Sequence, residues 1–318
     1  MPVIGLRGSL GIGVESTAGT AVSATTTMPA SNLSVMETST QERGTDLTVN
    51  TGGVQTTVVE LDRRVAGTTE CALHYNAGVG LLLYAWFGAV SEGGGGGPTY
   101  DHTFTLSAPE SLPSVTLVQT HGNSGNKHVV NGCVANTLEL VVSSAASGRI
   151  SIGWIGRAQE TITTASNPTV TAGTKVLGSH GALTWNSTTY TGVVSEAKVT
   201  GNNNLAAGWT YGSLTAGYIL PSGPREIALE TKLVCTAAQW DALMDARRAL
   251  TESNAVLTFT SGSLVLAITL HNASVESVGM PITGAGVVSA TVKFRGRGDG
   301  SNGGLAAVLT NTNATYEL

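Results

Sequence analysis

The sequence predicts a mainly β protein with two helices, in which one structural unit occurs twice in tandem. Three observations lead to this prediction. Gly contributes 41 of the 318 residues, Thr, Ser and Val recur throughout, and only 12% of the residues are charged, which is typical of strands and turns. Two segments alone have the length and apolar pattern of helices. The order of strand-like and helical segments in the first half of the chain recurs in the second half.

The apolar segment 77–90 (AGVGLLLYAWFGAV) predicts a buried helix. A helix that crosses a bilayer needs roughly 20 apolar residues. This segment is clearly shorter than that and is interrupted by Gly78, Gly80 and Gly88. We therefore expect it to pack on a sheet, and we expect no membrane insertion by this chain.

Residues 236–250 (TAAQWDALMDARRAL) predict an amphipathic helix. Thr236 and Gln239 have the spacing of a capping box, in which each side chain bonds the backbone N–H of the other residue. The apolar residues at helical spacing are Trp240, Leu243, Met244 and Leu250. This stripe is expected to cover one face of a sheet with Trp240 in the core, and a helix that binds a partner is the alternative.

The repeat appears when the two halves are written over each other. Residues 69–89 over residues 230–250 place the apolar stripes of both helices in register, with Leu82 on Leu243. The last strands also correspond, GRISIGWIGR at 148–157 with VSATVKFRGR at 288–297. The offset is about 161 at the helices and about 140 at these strands, so the first half contains extra residues. The glycine-rich segment 91–102 and the turn-rich segment 120–128 are the expected places for them.

The repeat predicts four regions of the chain. They are an N-terminal arm (1–27), a first unit (28–168), a second unit (169–300) and a C-terminal tail (301–318). Each unit also contains a long excursion before its helix, at 41–54 and at 201–223. Segments of this length in a compact domain usually make functional contacts, so we expect the arm and both excursions to become ordered only against neighbouring copies.

The residues give no indication of catalysis or of cofactor or metal binding. The formal charge is −5 without a cluster of Lys or Arg, whereas a protein that grips nucleic acid needs a basic face. Histidines and cysteines lack metal-ligand spacing, and no glycine loop has the spacing of a phosphate site. Asp101 and His102 form the one adjacent acid–His pair, within a Gly/Pro-rich loop. We therefore predict no catalytic, cofactor-binding or metal-binding residues, no cofactor and no enzymatic activity.

The chain is expected to fold in the cytoplasm of the cell that makes it. Its first residues, MPVIGLRGSLGIGVEST, lack the charged start and long apolar core of a signal peptide. The cysteines, Cys71, Cys133 and Cys235, are odd in number and widely spaced. Reduced thiols are therefore expected instead of disulfides.

The order of several segments resembles the tail tube (major tail) proteins of long-tailed bacteriophages of the siphophage type. These segments are GIGVESTAGTAV, MPASNLSVMETST, VGLLLYAWFG, YDHTFTL, SLPSVTLVQ and NGCVANTLELVVS. The resemblance implies two tandem β-sandwich units, each with one flanking helix, which join between chains into a closed β-barrel ring. It also implies a structural virion protein whose stacked rings form the conduit for DNA ejection. A baseplate or capsid-decoration protein, and then a carbohydrate-binding or adhesive β-protein, are the alternatives.

The same resemblance implies the partners. Because family rings commonly contain six single-unit subunits, a chain with two units implies homotrimeric, pseudo-hexameric rings, with a homohexamer as the alternative. Other copies of the chain, a tape measure protein and a tail-terminator or tail-tip protein would be protein partners in the virion. Genomic double-stranded DNA would pass without specific binding. About 24 strands at roughly 4.8 Å spacing and about 40° tilt close to a diameter near 48 Å, wide enough for duplex DNA, and we expect a neutral to negative lumen.

Overall fold

The structure is a computed structural model that describes residues 8–43, 58–76, 78–93, 98–120, 127–160, 170, 173–190, 193–280, 289–299 and 303–316. The two helices of this part of the chain are α1 (Val79–Phe87) and α2 (Ala237–Arg248). The strands of the first half are β1 (Ser9–Val14), β2 (Thr26–Leu33), β3 (Met36–Arg43), β4 (Val58–Ala72), β5 (Gly88–Gly93), β6 (Tyr100–Leu106), β7 (Val115–Thr120), β8 (Lys127–Ser143), β9 (Arg149–Gly156) and β10 (Ala158–Glu160). Those of the second half are β11 (Gly181–Trp185), β12 (Thr188–Thr189), β13 (Val194–Asn202), β14 (Leu205–Gly208), β15 (Tyr218–Pro221), β16 (Glu226–Leu233), β17 (Glu252–Ser261), β18 (Leu264–Gly279), β19 (Ala290–Arg295) and β20 (Leu305–Asn311).

The mainly β prediction is confirmed, because 18 strands belong to one continuous hydrogen-bonded sheet with antiparallel pairing. Its central part, here called the main sheet, has the strand order β3-β4-β9-β8-β13-β16-β19-β18. Strands β3, β4, β9 and β8 form one four-stranded section, and β13, β16, β19 and β18 form a second section in the same order. The sections meet where β8 pairs with β13.

The irregularities of pairing recur between the two sections. The pairing of β8 with β9 skips one residue between Ala135 and Thr137, and that of β18 with β19 skips one between Val275 and Ser277. The offset between the halves is the same at both positions, since 275 − 135 equals 277 − 137. It also equals the offset of the last strands in the sequence repeat, 288 − 148. An extra residue in one strand bends it and increases its twist, so both sections are bent at the same place.

A second irregularity occurs on β13, the first strand of the second section, and on β2, which precedes β3 along the same edge of β4. The pairing of β2 with β4 shifts between Ala30 and Asn32, and the pairing of β13 with β16 shifts between Val194 and Glu196. Here too the two positions share one offset, since 194 − 30 equals 196 − 32. Strands β2 and β3 together therefore occupy in the first section the place of β13 in the second.

One face of the main sheet is the core face, because alternate residues of each strand point to the same side. The buried residues of β9 are Ile150, Ile152, Trp154 and Gly156. Those of β19 are Ala290, Val292 and Phe294. Further strands cover this face. The N-terminal part of β8 joins β7, β1 and β10, and that of β18 joins β17, β11 and β20.

The predicted helix at 77–90 is confirmed as α1, which is almost completely buried. Gly78 precedes it and Gly88 ends it, both with positive φ, 82° and 91°, a conformation that favours glycine. The helix packs on β8, β5 and β6. No helix of the described residues is long and apolar enough to span a membrane.

The predicted helix at 236–250 is confirmed as α2, including the capping box of Thr236 and Gln239. It packs on β18, so the interpretation as a sheet-covering helix is supported. The expectation that Trp240 lies in the core is only partly correct. Leu243 is the fully buried residue of α2 and Trp240 is half-buried, while Leu250 lies beyond the helix, 76% exposed and with φ 53°.

The extra residues of the first half include a hairpin of β5 and β6. This hairpin extends across to the last described strand, because β6 pairs with β20. Strand β20 lies between β6 and β18 and is therefore internal to the sheet. The tip of the hairpin, 94–97, and residues 121–126 of the other expected insertion lie outside the described residues.

The expectation that the N-terminal arm becomes ordered only against neighbouring copies is wrong for its described residues, and the C-terminal tail is also packed in the single chain. Strand β1 lies between β2 and β7, and its Leu10 and Ile12 are completely buried. Tyr316 near the C-terminus is 5% exposed. The alternating apolar pattern in the arm and in the tail is short and lies within Gly- and Thr-rich sequence. It therefore did not stand out as a prediction of ordered structure. The same expectation is wrong for the excursion 201–223, which contains the hairpin of β14 and β15 in the single chain. Residues 44–54 of the other excursion lie outside the described residues.

Candidate assembly surfaces

The one acid–His pair of the sequence has structural roles. Asp101 accepts a hydrogen bond from the Thr310 hydroxyl at 2.6 Å. His102 is completely buried; its Nε2 lies 2.9 Å from the Asn313 carbonyl oxygen and its ring packs edge-on against Tyr316. Both residues thus attach the C-terminal segment to β6. Among the described residues no group of three or more His, Cys, Asp or Glu side chains could hold a metal ion.

The face of the main sheet opposite the core carries alternating acidic and basic side chains, and we call it the polar face. Its ion pairs are Arg149–Glu70 (4.0 Å), Lys198–Glu139 (2.6 Å), Lys232–Glu196 (3.1 Å), Lys293–Glu276 (2.7 Å) and Arg295–Glu276 (3.3 Å). Each pair joins neighbouring strands. All of the basic side chains in these pairs therefore have a carboxylate within 4.0 Å.

These ion pairs affect the charge that the polar face presents more than they affect the stability of the fold. Their side chains are about one third to one half exposed, and an exposed ion pair typically contributes only ~0–1 kcal/mol. The pairs nevertheless neutralise the face locally. At Glu276 the hydrogen bond from Lys293 holds the pKa of the carboxyl below its usual value, with a further contribution from Arg295. Glu276 therefore stays ionised beside both cations at neutral pH.

The main sheet ends in two open edges. Strand β3 pairs with β4 and with no other described strand. At the opposite end, β17 accompanies β18 only as far as the pair Glu252 and Ser274. From Val275 to Gly279 that edge carries no described strand, while the other edge of β18 pairs with β19. Unpaired strand edges are templates for pairing with another chain.

A third surface lies where the excursion of the second half contacts the first half. The Arg63 N–H donates to the Leu214 carbonyl at 2.8 Å, and the Arg64 guanidinium lies 4.9 Å from the centre of the Trp209 ring. Large apolar side chains are exposed on β4 and on the excursion. They are Val58, Val59, Leu61, Tyr211, Leu214, Tyr218 and Leu220. Exposed apolar side chains of this kind are common at protein contacts.

The N-terminal strand is held by a buried carboxylate that the sequence did not reveal. Glu15 is 8% exposed. Its Oε1 accepts from the Thr116 hydroxyl (2.7 Å) and the Gly132 N–H (2.9 Å), and its Oε2 from the Ser114 hydroxyl (2.7 Å) and the Gly19 N–H (2.7 Å). The only signal in the sequence is one acidic residue directly after an apolar strand. The ion pairs of the polar face had a clearer signal, Glu and Lys two residues apart in SEAKVT and LETKL.

The chain matches one known protein family over nearly its whole length. The family model described as "Phage tail tube protein" matches residues 5–296, nearly the whole chain. The protein is therefore a structural component of a bacteriophage tail and part of the virion. It belongs to the phage tail tube protein family, which confirms the resemblance seen in the sequence. Comparison with curated proteins gives no match.

Membership of this family has consequences for partners and activity. It implies self-assembly into a tube together with other tail proteins. It also suggests a structural role in place of an enzymatic one.

Proposed function

We propose that copies of this chain join edge to edge into rings, and that stacked rings form the tail tube through which the genome leaves the virion. The observation that carries this proposal is the architecture of the main sheet. Two similar four-stranded sections lie side by side and end in two open edges. Since β3 and β18 are different edges, their pairing is a head-to-tail contact. Such a contact generates a closed ring when the rotation between copies closes.

We further propose that the two sections are the cores of two tail-tube units, at 28–168 and 169–300, with β1 added to the first unit and β20 to the second. Three chains would then supply six units to each ring, and six chains are the alternative. The equivalent irregularities of both sections support equal curvature in both units. The apolar surface on β4 and on the excursion 201–223 would contact the next ring.

In this arrangement the polar face lines the lumen, because helices and the second layer cover the other face of the main sheet. Neutralising phosphates releases counterions, and the resulting affinity would accumulate over many stacked rings. Cations that are already paired with carboxylates do not present that basic surface. The ion pairs of the polar face thus support a lumen along which duplex DNA slides.

Electron microscopy of the purified protein tests the assembly. We expect uniform hollow rings or tubes, and a ring mass of three chains by native mass spectrometry. Single chains or solid aggregates at high protein concentration would contradict the tube function. Such a result would favour another structural role within the tail, such as that of a baseplate protein.

Binding of duplex DNA at low salt tests the role of the polar face. Preformed wild-type tubes should not retain DNA inside. The variant Glu139→Gln/Glu196→Gln/Glu276→Gln releases four basic side chains from their partners and should gain binding that decreases steeply with salt. The control Glu110→Gln/Asp241→Asn/Asp245→Asn changes the net charge equally, but outside the polar face. Equal DNA binding by both variants would refute the role of the face.

A further inference from the structure

We propose that β3 of one chain pairs with the C-terminal part of β18 of the next chain in the register that β13 and β8 adopt inside the chain. This inference rests on the proposed ring and specifies the contact that closes it. The partner is a second copy of this chain.

The contact between β13 and β8 provides the template. It is antiparallel and regular, from Glu196 opposite Ser143 to Asn202 opposite Thr137. It joins the last strand of the first section to the first strand of the second. A ring of such sections needs the same contact once more, between the last strand of the second section and the first strand of the next chain.

The register on the β18 side follows from the pairing with β19. Ser277, Val278 and Gly279 lie opposite Lys293, Val292 and Thr291, as Thr137, Leu138 and Glu139 lie opposite Gly153, Ile152 and Ser151. All of these positions share one offset between the halves, since 277 − 137 equals 293 − 153. Ser277, Val278 and Gly279 therefore take the places of Thr137, Leu138 and Glu139.

The register on the β3 side follows from the pairing with the next strand. Met36 lies opposite Ala66 and Thr200 lies opposite Ala228. The two alanines are equivalent, because Ala66 pairs with Ile155 and Ala228 with Arg295, and these partners have the same offset as the positions above, 295 − 155. Met36 therefore takes the place of Thr200, and Thr38 that of Asn202.

The template then predicts each pair across the ring contact. Thr38 of one chain lies opposite Ser277 of the next, Glu37 opposite Val278, and Met36 opposite Gly279. Met36 is 56% exposed in the single chain. A side chain at Gly279 would meet no atom within 4 Å, so the Met36 side chain can lie over this glycine.

The ring contact differs from its template in charge. Across the internal contact Lys198 binds Glu139 at 2.6 Å. The corresponding positions between chains hold Ser34 and Gly279. The contact between chains therefore lacks the ion pair of its template, so ring assembly should depend less on salt than a contact that contains this pair.

Cysteine cross-linking tests the register. All variants carry Cys235→Ser, because Cys235 is the half-buried thiol while Cys71 and Cys133 are buried. Directly opposite residues have Cβ atoms about 4.5–5.5 Å apart, close enough for a disulfide with small adjustment. The variant Thr38→Cys/Ser277→Cys should give multimers on a non-reducing gel that end at the ring's number of chains. They should disappear on reduction.

Two matched controls complete the experiment. Thr137→Cys/Asn202→Cys carries the same pair at the internal contact, so its disulfide should form within one chain. Thr38→Cys/Gly279→Cys is displaced by two residues, about 7–8 Å between positions, and should cross-link poorly. The register would be overturned if rings formed but the displaced variant were cross-linked efficiently. It would also be overturned if rings of Thr38→Cys/Ser277→Cys formed without cross-links. Either result would leave the tube function standing. Absence of rings from the Cys235→Ser parent and the wild type would overturn the tube function and the contact together.

A charge introduced at the contact gives a second readout. Gly279→Glu places a carboxylate where the template has Glu139, but without a lysine opposite, so ring formation should decrease. Ser34→Lys in addition recreates the pair of Lys198 and Glu139 and should restore rings, now in a salt-sensitive way. Failure of Gly279→Glu to affect assembly, or rescue by Ser34→Lys without salt sensitivity, would contradict the assigned positions.

Discussion

The buried carboxylate of Glu15 gives the most direct test of how the N-terminal strand is held. Each of its oxygens accepts one backbone N–H and one hydroxyl. In Glu15→Gln one oxygen becomes an NH₂ group, which donates. A Ser or Thr hydroxyl can rotate and accept from that group, but the N–H of Gly19 or Gly132 cannot.

One backbone N–H therefore loses its acceptor in either orientation of the amide. An unsatisfied buried donor is unfavourable by about 1–3 kcal/mol, and the three remaining bonds lose the assistance of the negative charge. We expect the free energy of unfolding to decrease by about 2–4 kcal/mol. This is a large part of the roughly 5–15 kcal/mol typical of folded proteins.

Urea unfolding of the unassembled chain, followed by tryptophan fluorescence, measures this change. Glu230→Gln removes the same charge at an exposed position and should stay within about 0.5 kcal/mol of wild type. If Glu15→Gln also stays within that range, the four hydrogen bonds do not hold the strand and the reasoning is wrong.

Three further predictions concern the core. Leu243→Ala should destabilise the chain by about 2–5 kcal/mol, and Trp240→Ala by less, because only Leu243 is fully buried in α2; equal urea midpoints would contradict this order. Gly80→Ala places a Cβ 2.3 Å from the ring of Tyr316 and should lower the free energy of unfolding by about 1–3 kcal/mol. In a double-mutant cycle this loss should be much smaller in a Tyr316→Ala background. Iodoacetamide at pH 8 should modify Cys235 before Cys71, whose pKa burial raises to about 12, as mass mapping of the labelled protein would show; early labelling of Cys71 would indicate local opening of β4.

Local patterns were sufficient to predict the helices and the mainly β fold. The capping box of Thr236 and Gln239 is a short-range signal, and so is the apolar run of α1. Burial within α2 was harder to predict, since the position of β18 decides that Leu243 and not Trp240 is covered. Helical spacing identifies the apolar stripe of a helix but not which residue of that stripe is buried most deeply.

The assembly surfaces depend on pairing between residues far apart in the sequence, so they were harder to predict from the sequence. Glu15 finds its donors in Ser114, Thr116 and Gly132, about one hundred residues away. No local sequence pattern predicts such distant partners. The polar face could have been found from the period-two spacing of Glu and Lys, because side chains two residues apart share a face of a strand.

The pairing of β6 with β20 has a consequence for synthesis of the protein. Thr105 lies opposite Ala306, so most of the length of the chain separates the two partners. Translation proceeds at about 5–20 residues per second, so β20 is synthesised roughly 10–40 s after β6. During that time the hairpin of β5 and β6 has an open edge that could capture another nascent strand. Folding of the first half is thus completed only after β20 has been translated, so β20 covers this edge and withdraws it from pairing with other chains.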